Sequence, residues 1–185
     1  MPIDPAGLII RTYPDRVLRA RTRTLPSVTD EVRRVAHRMI ELMFDADGIG
    51  LAAPQVGLDW RMFVAHVPEN DDRSATDSPP SATAAPEVYI NPVLSNPLGS
   101  PEPLSEGCLS LPEISGEVLR PPTITITAIG LDGSPFTRTA TGLLARCWQH
   151  EVDHLDGVLI IDRMTQMSRL KNRSAVRELE RAAPR

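Results

Sequence analysis

His150, Glu151 and His154 stand in the spacing His-Glu-x-x-His within His150-Glu151-Val152-Asp153-His154, a pattern that on a helix turns two imidazoles to one side. The helical rise sets the two histidines about 6 Å apart along the axis, so both rings can reach one metal ion. Glu151 is rotated about 100° from His150, where it can meet a water beside that ion without ligating it. The chemistry this suits is hydrolysis. A catalytic centre of this type also needs a third protein ligand and a fourth position left to water.

The third ligand is not decided by these five residues. A further histidine six residues on would make a three-histidine site, but Ile160 stands there. Glu178 and Glu180 are downstream carboxylates of the sort a thermolysin-like peptidase uses. Cys147 lies three residues before His150, yet it is separated from His154 by about 10.5 Å of rise, which would force the metal almost onto a line. It reads better as a pocket wall next to Leu143. Cys108, in Glu106-Gly107-Cys108-Leu109-Ser110, is then the thiolate arriving from outside the helix.

Elements must bring these groups together. Residues 143–155 read as the helix that carries both histidines, closed by Gly157. Residues 27–47 carry Val32, Val35, Ala36, Met39, Ile40 and Met43 at helical spacing, with Ser27 or Thr29 as cap and Gly48 at a left-handed exit. Strands are expected at 62–67, 88–94 and 123–129, the last turning at Asp132-Gly133 into 136–139. Residues 158–161 read as a brief apolar strand. Residues 163–182 read as a charged final helix docked through Met164, Met167 and Leu170. The stretch 69–86 is rich in Asp, Ser, Thr, Ala and Pro without an apolar face, and is expected to be a mobile surface insertion. Strands and helices in blocks, without a βαβ rhythm, argue for the α+β class: antiparallel sheets around a central His-Glu-x-x-His helix, with a C-terminal helix.

At 185 residues and 41% hydrophobic content the chain is expected to close a single domain over 1–185. A net charge of −4 gives no basic field for nucleic acid or anionic lipid, so neither partner is expected. No membrane-length apolar run or cationic leader is present, which points to the cytosol. Two cysteines in a chain of this size do not suggest a disulfide framework.

Three segments, taken in order, carry a resemblance: Gly48-Ile49-Gly50-Leu51-Ala52-Ala53-Pro54-Gln55, Glu106-Gly107-Cys108-Leu109-Ser110, and Gln149-His150-Glu151-Val152-Asp153-His154-Leu155-Asp156-Gly157. They are similar to the three motifs of peptide deformylases. Tyr13-Pro14-Asp15-Arg16-Val17-Leu18 and the Asn91-Pro92 step also look like that family, so the likeness runs from about Leu8 to Arg163. It implies a hydrolase that removes the formyl group from N-terminal methionine of new proteins and releases formate. It also implies that Cys108, His150 and His154 hold one divalent ion, Fe2+ in this family, with Zn2+, Ni2+ or Co2+ as substitutes. Ligand softness alone would favour zinc. A water on that ion would be the nucleophile, Glu151 the general base and acid, and the Gln55 amide with the Leu109 backbone N–H the oxyanion donors.

The same resemblance maps a methionine pocket onto Ile49, Gly50, Leu104, Glu106, Leu143, Arg146 and Cys147, next to His150. Arg146 stands where many relatives carry an aliphatic residue, and its stem is expected to line the pocket while the guanidinium leaves toward solvent. Glu106 is expected to pair with Arg120 and brace the Cys108 loop, and Trp148 to be a core aromatic. The implied partner is an N-formyl-Met peptide or nascent chain, with transient ribosome association. The alternatives are a metallopeptidase using Glu178 or Glu180, and a silent metal-stabilised binding protein. Retention of Gln55, Cys108, His150, Glu151 and His154 argues against the second.

Overall fold

The computed structural model describes residues 3–182. Helix α1, Asp30–Asp45, begins at Thr29, whose hydroxyl accepts the Val32 N–H at 3.3 Å. Its buried stripe is Val32, Val35, Ala36, Met39 and Met43. Asp47, not Gly48, takes the left-handed conformation at its exit, with φ 53°. Gly48 is small for another reason: a Cβ there would lie 2.8 Å from Leu109 Cδ1.

Seven strands follow: β1 Gly50–Ala52, β2 Met62–Ala65, β3 Glu87–Leu98, β4 Glu102–Cys108, β5 Leu111–Arg120, β6 Thr123–Ile129 and β7 Pro135–Thr141. They form an antiparallel five-stranded sheet in the order β1-β2-β3-β6-β7 and a separate β4-β5 pair. Leu51, Met62, Val64, Val88 and Ile90 face α1, while Ala52, Phe63, Ala65 and Tyr89 face helix α2, Gly142–Leu155. Burial on both faces explains why β2 is apolar throughout instead of alternating. On β6, Ile124, Ile126 and Ala128 join the α2 core. The intervening Thr123, Thr125 and Thr127 meet Thr141, Thr139 and Thr137 of β7 through hydroxyl pairs at 2.9–3.0 Å.

The β4-β5 pair has its own core, in which Leu111, Ile114 and Val118 meet Leu18, Leu159, Ile160 and Met164. Residues 158–161, expected as a strand, instead lead into the short helix α3, Ile160–Arg163. The Asp162 carboxylate accepts the Leu159 N–H at 2.8 Å and so starts the turn. Helix α4 spans Gln166–Ala182. Met164 is buried as expected, but Met167 and Leu170 are exposed. The register that lets Ser168 accept the Glu117 N–H and Asn172 donate to Ser115 O turns Ala175, Val176 and Leu179 inward instead.

The stretch 69–86 contains no helix or ladder strand, but its end is tied down. Ala82 is buried in the α2 core, Thr83 bonds Val67 in both directions, and the Thr141 N–H reaches Pro80 O at 2.9 Å. No helix among the described residues is long and apolar enough to cross a membrane.

Candidate metal centre

Helix α2 begins at Gly142, at φ 57°, and ends before Gly157, at φ 75°, where a Cβ would strike the Arg19 carbonyl at 2.6 Å. Leu143, Arg146, Cys147 and His150 recur at three and four residues and form one wall of a cleft, while His154 sits one turn deeper. The opposite wall is β4, whose last residue is Cys108. The β4-β5 register shifts between Gly107 and Cys108, an irregularity of the kind that re-aims a side chain.

His150 Nε2 lies 3.2 Å from His154 Nε2, and Cys108 Sγ lies 3.2 Å from the same atom. The three donor atoms all fall within 4.8 Å of one another, and they are the group with metal-ligand character among the described residues. Two nitrogens ligating one tetrahedral ion at about 2.0–2.1 Å stand about 3.3 Å apart, so the donor set fits a divalent metal. Burial, followed by the neighbouring His150 and Arg120 charges, holds the His154 pKa well below its ordinary value.

His150 Nδ1 is 3.1 Å from Glu106 Oε2, which orients the ring from behind. Glu106 is buried and takes a two-pronged pair from Arg120 at 2.7 and 2.9 Å. Burial opposes its charge, but hydrogen bonds from His150 and Arg120 win and hold the carboxyl far below its usual range. Arg120 Nη1 also reaches Asp153 Oδ2 at 2.8 Å, so the pair spans β4, β5 and α2.

Glu151 is buried, and burial pushes its carboxyl up to about 7 against the pull of His150 and Arg120. Its Oε2 and the Nδ1 of His154 are buried with no hydrogen-bond partner among the described residues. The carboxylate lies against Gly50, where a Cβ would stand 2.8 Å from Glu151 Cδ and 3.0 Å from Cys147 Sγ. Gln55 sits in the 3-10 turn Ala53–Val56. Its Oε1 accepts the Ala52 N–H at 2.8 Å, which turns Nε2 toward Ser110 Oγ at 3.2 Å and Cys108 Sγ at 3.6 Å.

The cleft measures about 630 Å³, and Ile49, Gly50, Gln55, Glu106, Leu109 and Glu151 line it with the α2 wall. Leu104 is half exposed at its rim. The Cys147 thiol donates to Ile49 O at 3.4 Å, and burial followed by the Glu151 charge drives its pKa well up, so it stays a neutral wall. Trp148 is fully buried on the far side, edge-on to Tyr89. Arg146 departs from its expected course: the stem lines the cleft, but the guanidinium is buried beneath β4 and β5.

Glu180 accepts the Tyr13 hydroxyl at 2.8 Å and Glu178 that of Ser174 at 3.3 Å. Neither lines the cleft or joins the donor group. Sequence reasoning missed Ser110 and Asp153, which hold Gln55 and Arg120, and the Pro112–Ile114 part of the cleft. Asp153 was legible in principle, since at i+3 from His150 it shares that face of the helix.

The Polypeptide deformylase family model matches residues 8–170. The chain is 46% identical over 157 residues to Peptide deformylase 2 of Gloeobacter violaceus, covering 85% of this chain and 79% of that one. It is 44% identical over 165 residues to the peptide deformylase of Chromohalobacter salexigens, covering 89% of each. The crystal structure of peptide deformylase from Ehrlichia chaffeensis superposes with a TM-score of 0.85 at 31% identity, over 94% of this chain and 95% of that one.

Proposed function

Because this chain belongs to the polypeptide deformylase family and is an enzyme of that class, we propose that it hydrolyses the formyl amide on the N-terminal methionine of newly made proteins, releasing formate. The observation that carries the reading is the convergence of Cys108, His150 and His154 within 4.8 Å, beside a buried carboxylate that Gly50 alone leaves room for.

These three residues would hold one divalent ion, Fe2+ by family, with Zn2+, Ni2+ or Co2+ as substitutes. When bound, such an ion supplies Lewis acidity, making water acidic enough to attack at neutral pH and polarising the formyl carbonyl. Glu151 holds the proton: it takes one from the attacking water and returns it to the departing methionine amine. The sum is amide plus water giving amine and formate. The Gln55 Nε2 donor, aimed by Ala52, and the Leu109 N–H face the formyl oxygen as charge builds there. A fixed donor of this kind is worth about 3 kcal/mol of barrier.

Methionine fits between Leu143 and Cys147 of the α2 wall and Leu104 of β4, with Ile49 and Gly50 lining the same cleft. Since β1 is an edge strand of the larger sheet, an extended nascent chain pairs along it, with the side chain in the cleft. The setting is the cytosol, with transient contact to the ribosome as the source of substrate.

The test is direct. Protein prepared without oxygen releases formate from a formyl-Met peptide, and Glu151→Ala binds metal to the same stoichiometry while releasing none. Metal-loaded wild type that leaves the formyl group in place removes the reading.

A further inference from the structure

The β4-β5 pair is not hydrogen-bonded into the five-stranded sheet, and a two-stranded ribbon alone is marginal. Its distance from α2, which is the width of the cleft, therefore depends on its own core against α3 and α4 and on the side chains that bridge to α2. At the reacting end the bridge is Cys108 with Glu106, Arg120 and His150. The second bridge is Arg146, which shares Glu106 with the first. From α2, Arg146 Nη1 donates to Val118 O of β5 at 3.0 Å and to Glu106 Oε1 at 2.8 Å, and Nη2 donates to Glu102 O of β4 at 2.7 Å. One guanidinium thus holds both strands, while its stem forms part of the cleft wall beside Leu143 and across from Leu104.

We propose that Arg146 is a positioning residue for specificity: it pins the β4-β5 pair to α2 and so fixes how wide a side chain the pocket admits. A planar fork reaching two carbonyls and a carboxylate is a fit that lysine cannot reproduce, because an ammonium is a point donor. Besides the bond from Arg146, Glu106 has its two-pronged Arg120 pair and its His150 contact, so the Cys108 end has supports that do not run through Arg146.

The substrate side of this inference rests on the deformylase reading. Arg146→Met keeps the stem and removes the fork, and Arg146→Lys restores one donor. With metal content matched to wild type, Arg146→Met lowers the ratio of kcat/KM for formyl-Met over formyl-Phe peptides about tenfold. The change lies in KM for the bulky substrate, and Arg146→Lys falls between. Independently of turnover, backbone amides of residues 102–106 and 117–120 exchange hydrogen faster in Arg146→Met. An unchanged ratio in Arg146→Met overturns the proposal, as does unchanged exchange, or an equal fall in kcat for every substrate together with loss of metal. Should wild type release no formate, the catalytic reading falls and the exchange result still decides the pinning.

Discussion

Gly50 determines where the Glu151 carboxylate can stand. Any Cβ at position 50 lies inside contact distance of both Glu151 and Cys147, and Glu151 sits on a helix whose backbone has no slack. Gly50→Ala is therefore expected to push the carboxylate sideways. Displacement of a reacting group by about 1 Å can cost about 100-fold in rate, so kcat should fall by roughly that factor. Metal content should stay at wild-type level, since none of Cys108, His150 and His154 is among the nearest atoms the new methyl group would meet. Steady-state kinetics with metal analysis checks both, and full activity in Gly50→Ala would mean that the carboxylate has another resting place. At this scale the sequence was most informative where side chains act within a few residues of one another. The His150–His154 spacing follows from helix geometry alone. The closeness of Gly50 to Glu151 does not, because it comes from packing β1 against α2 across about a hundred residues of chain.

The β4-β5 pair is the element through which the site is held, and Arg120 is its central bolt. Its guanidinium spans Glu106 on β4 and Asp153 on α2, both buried or nearly so, and its loss leaves two carboxylates with too little positive charge. Breaking a buried ion pair from one side costs about 3–5 kcal/mol, so Arg120→Ala should lower unfolding stability by that order and weaken metal retention with it. Denaturant unfolding of the chelated protein separates the two effects. A loss under about 1 kcal/mol would mean that the pair is solvated and the brace is not real. This pair was also the least legible part of the fold. Helices α1 and α2 announce themselves through stripes of apolar residues, and β6 through the alternation of Thr123, Thr125 and Thr127 with Ile124, Ile126 and Ala128. In β4 only Glu106 is buried, so no apolar period exists to read. In β5 the inward positions run Leu111, Ile114, Gly116, Val118 and Arg120. A glycine that admits Met164 and a buried cation break the pattern that would have marked a strand. The segment read as a strand at 158–161 failed for a related reason, because the Asp162 cap outweighed the short apolar run.

Across the whole molecule, the candidate donors for an ion come from two parts of the fold: Cys108 from the β4-β5 pair, and His150 and His154 from the helix packed on the five-stranded sheet. An ion bound there ties one part to the other, and its binding energy is present only in the folded chain. At free metal about 100-fold above the dissociation constant, the linkage adds about 2.7 kcal/mol of stability. For a chain of this length each kcal/mol moves the melting midpoint by about 2–4 °C, so removing the metal should lower Tm by roughly 5–10 °C. Restoring Fe2+ without oxygen, or adding Zn2+, should bring the midpoint back. Cys108→Ala cuts the tie at the β4-β5 end, and its Tm should sit near that of chelated wild type and move little with chelator or metal. Calorimetry on wild type and this variant, each with and without chelator, supplies the four midpoints. If chelation shifts both proteins equally, the stabilising ion is bound somewhere that does not need Cys108, and the two parts are held together by protein contacts alone.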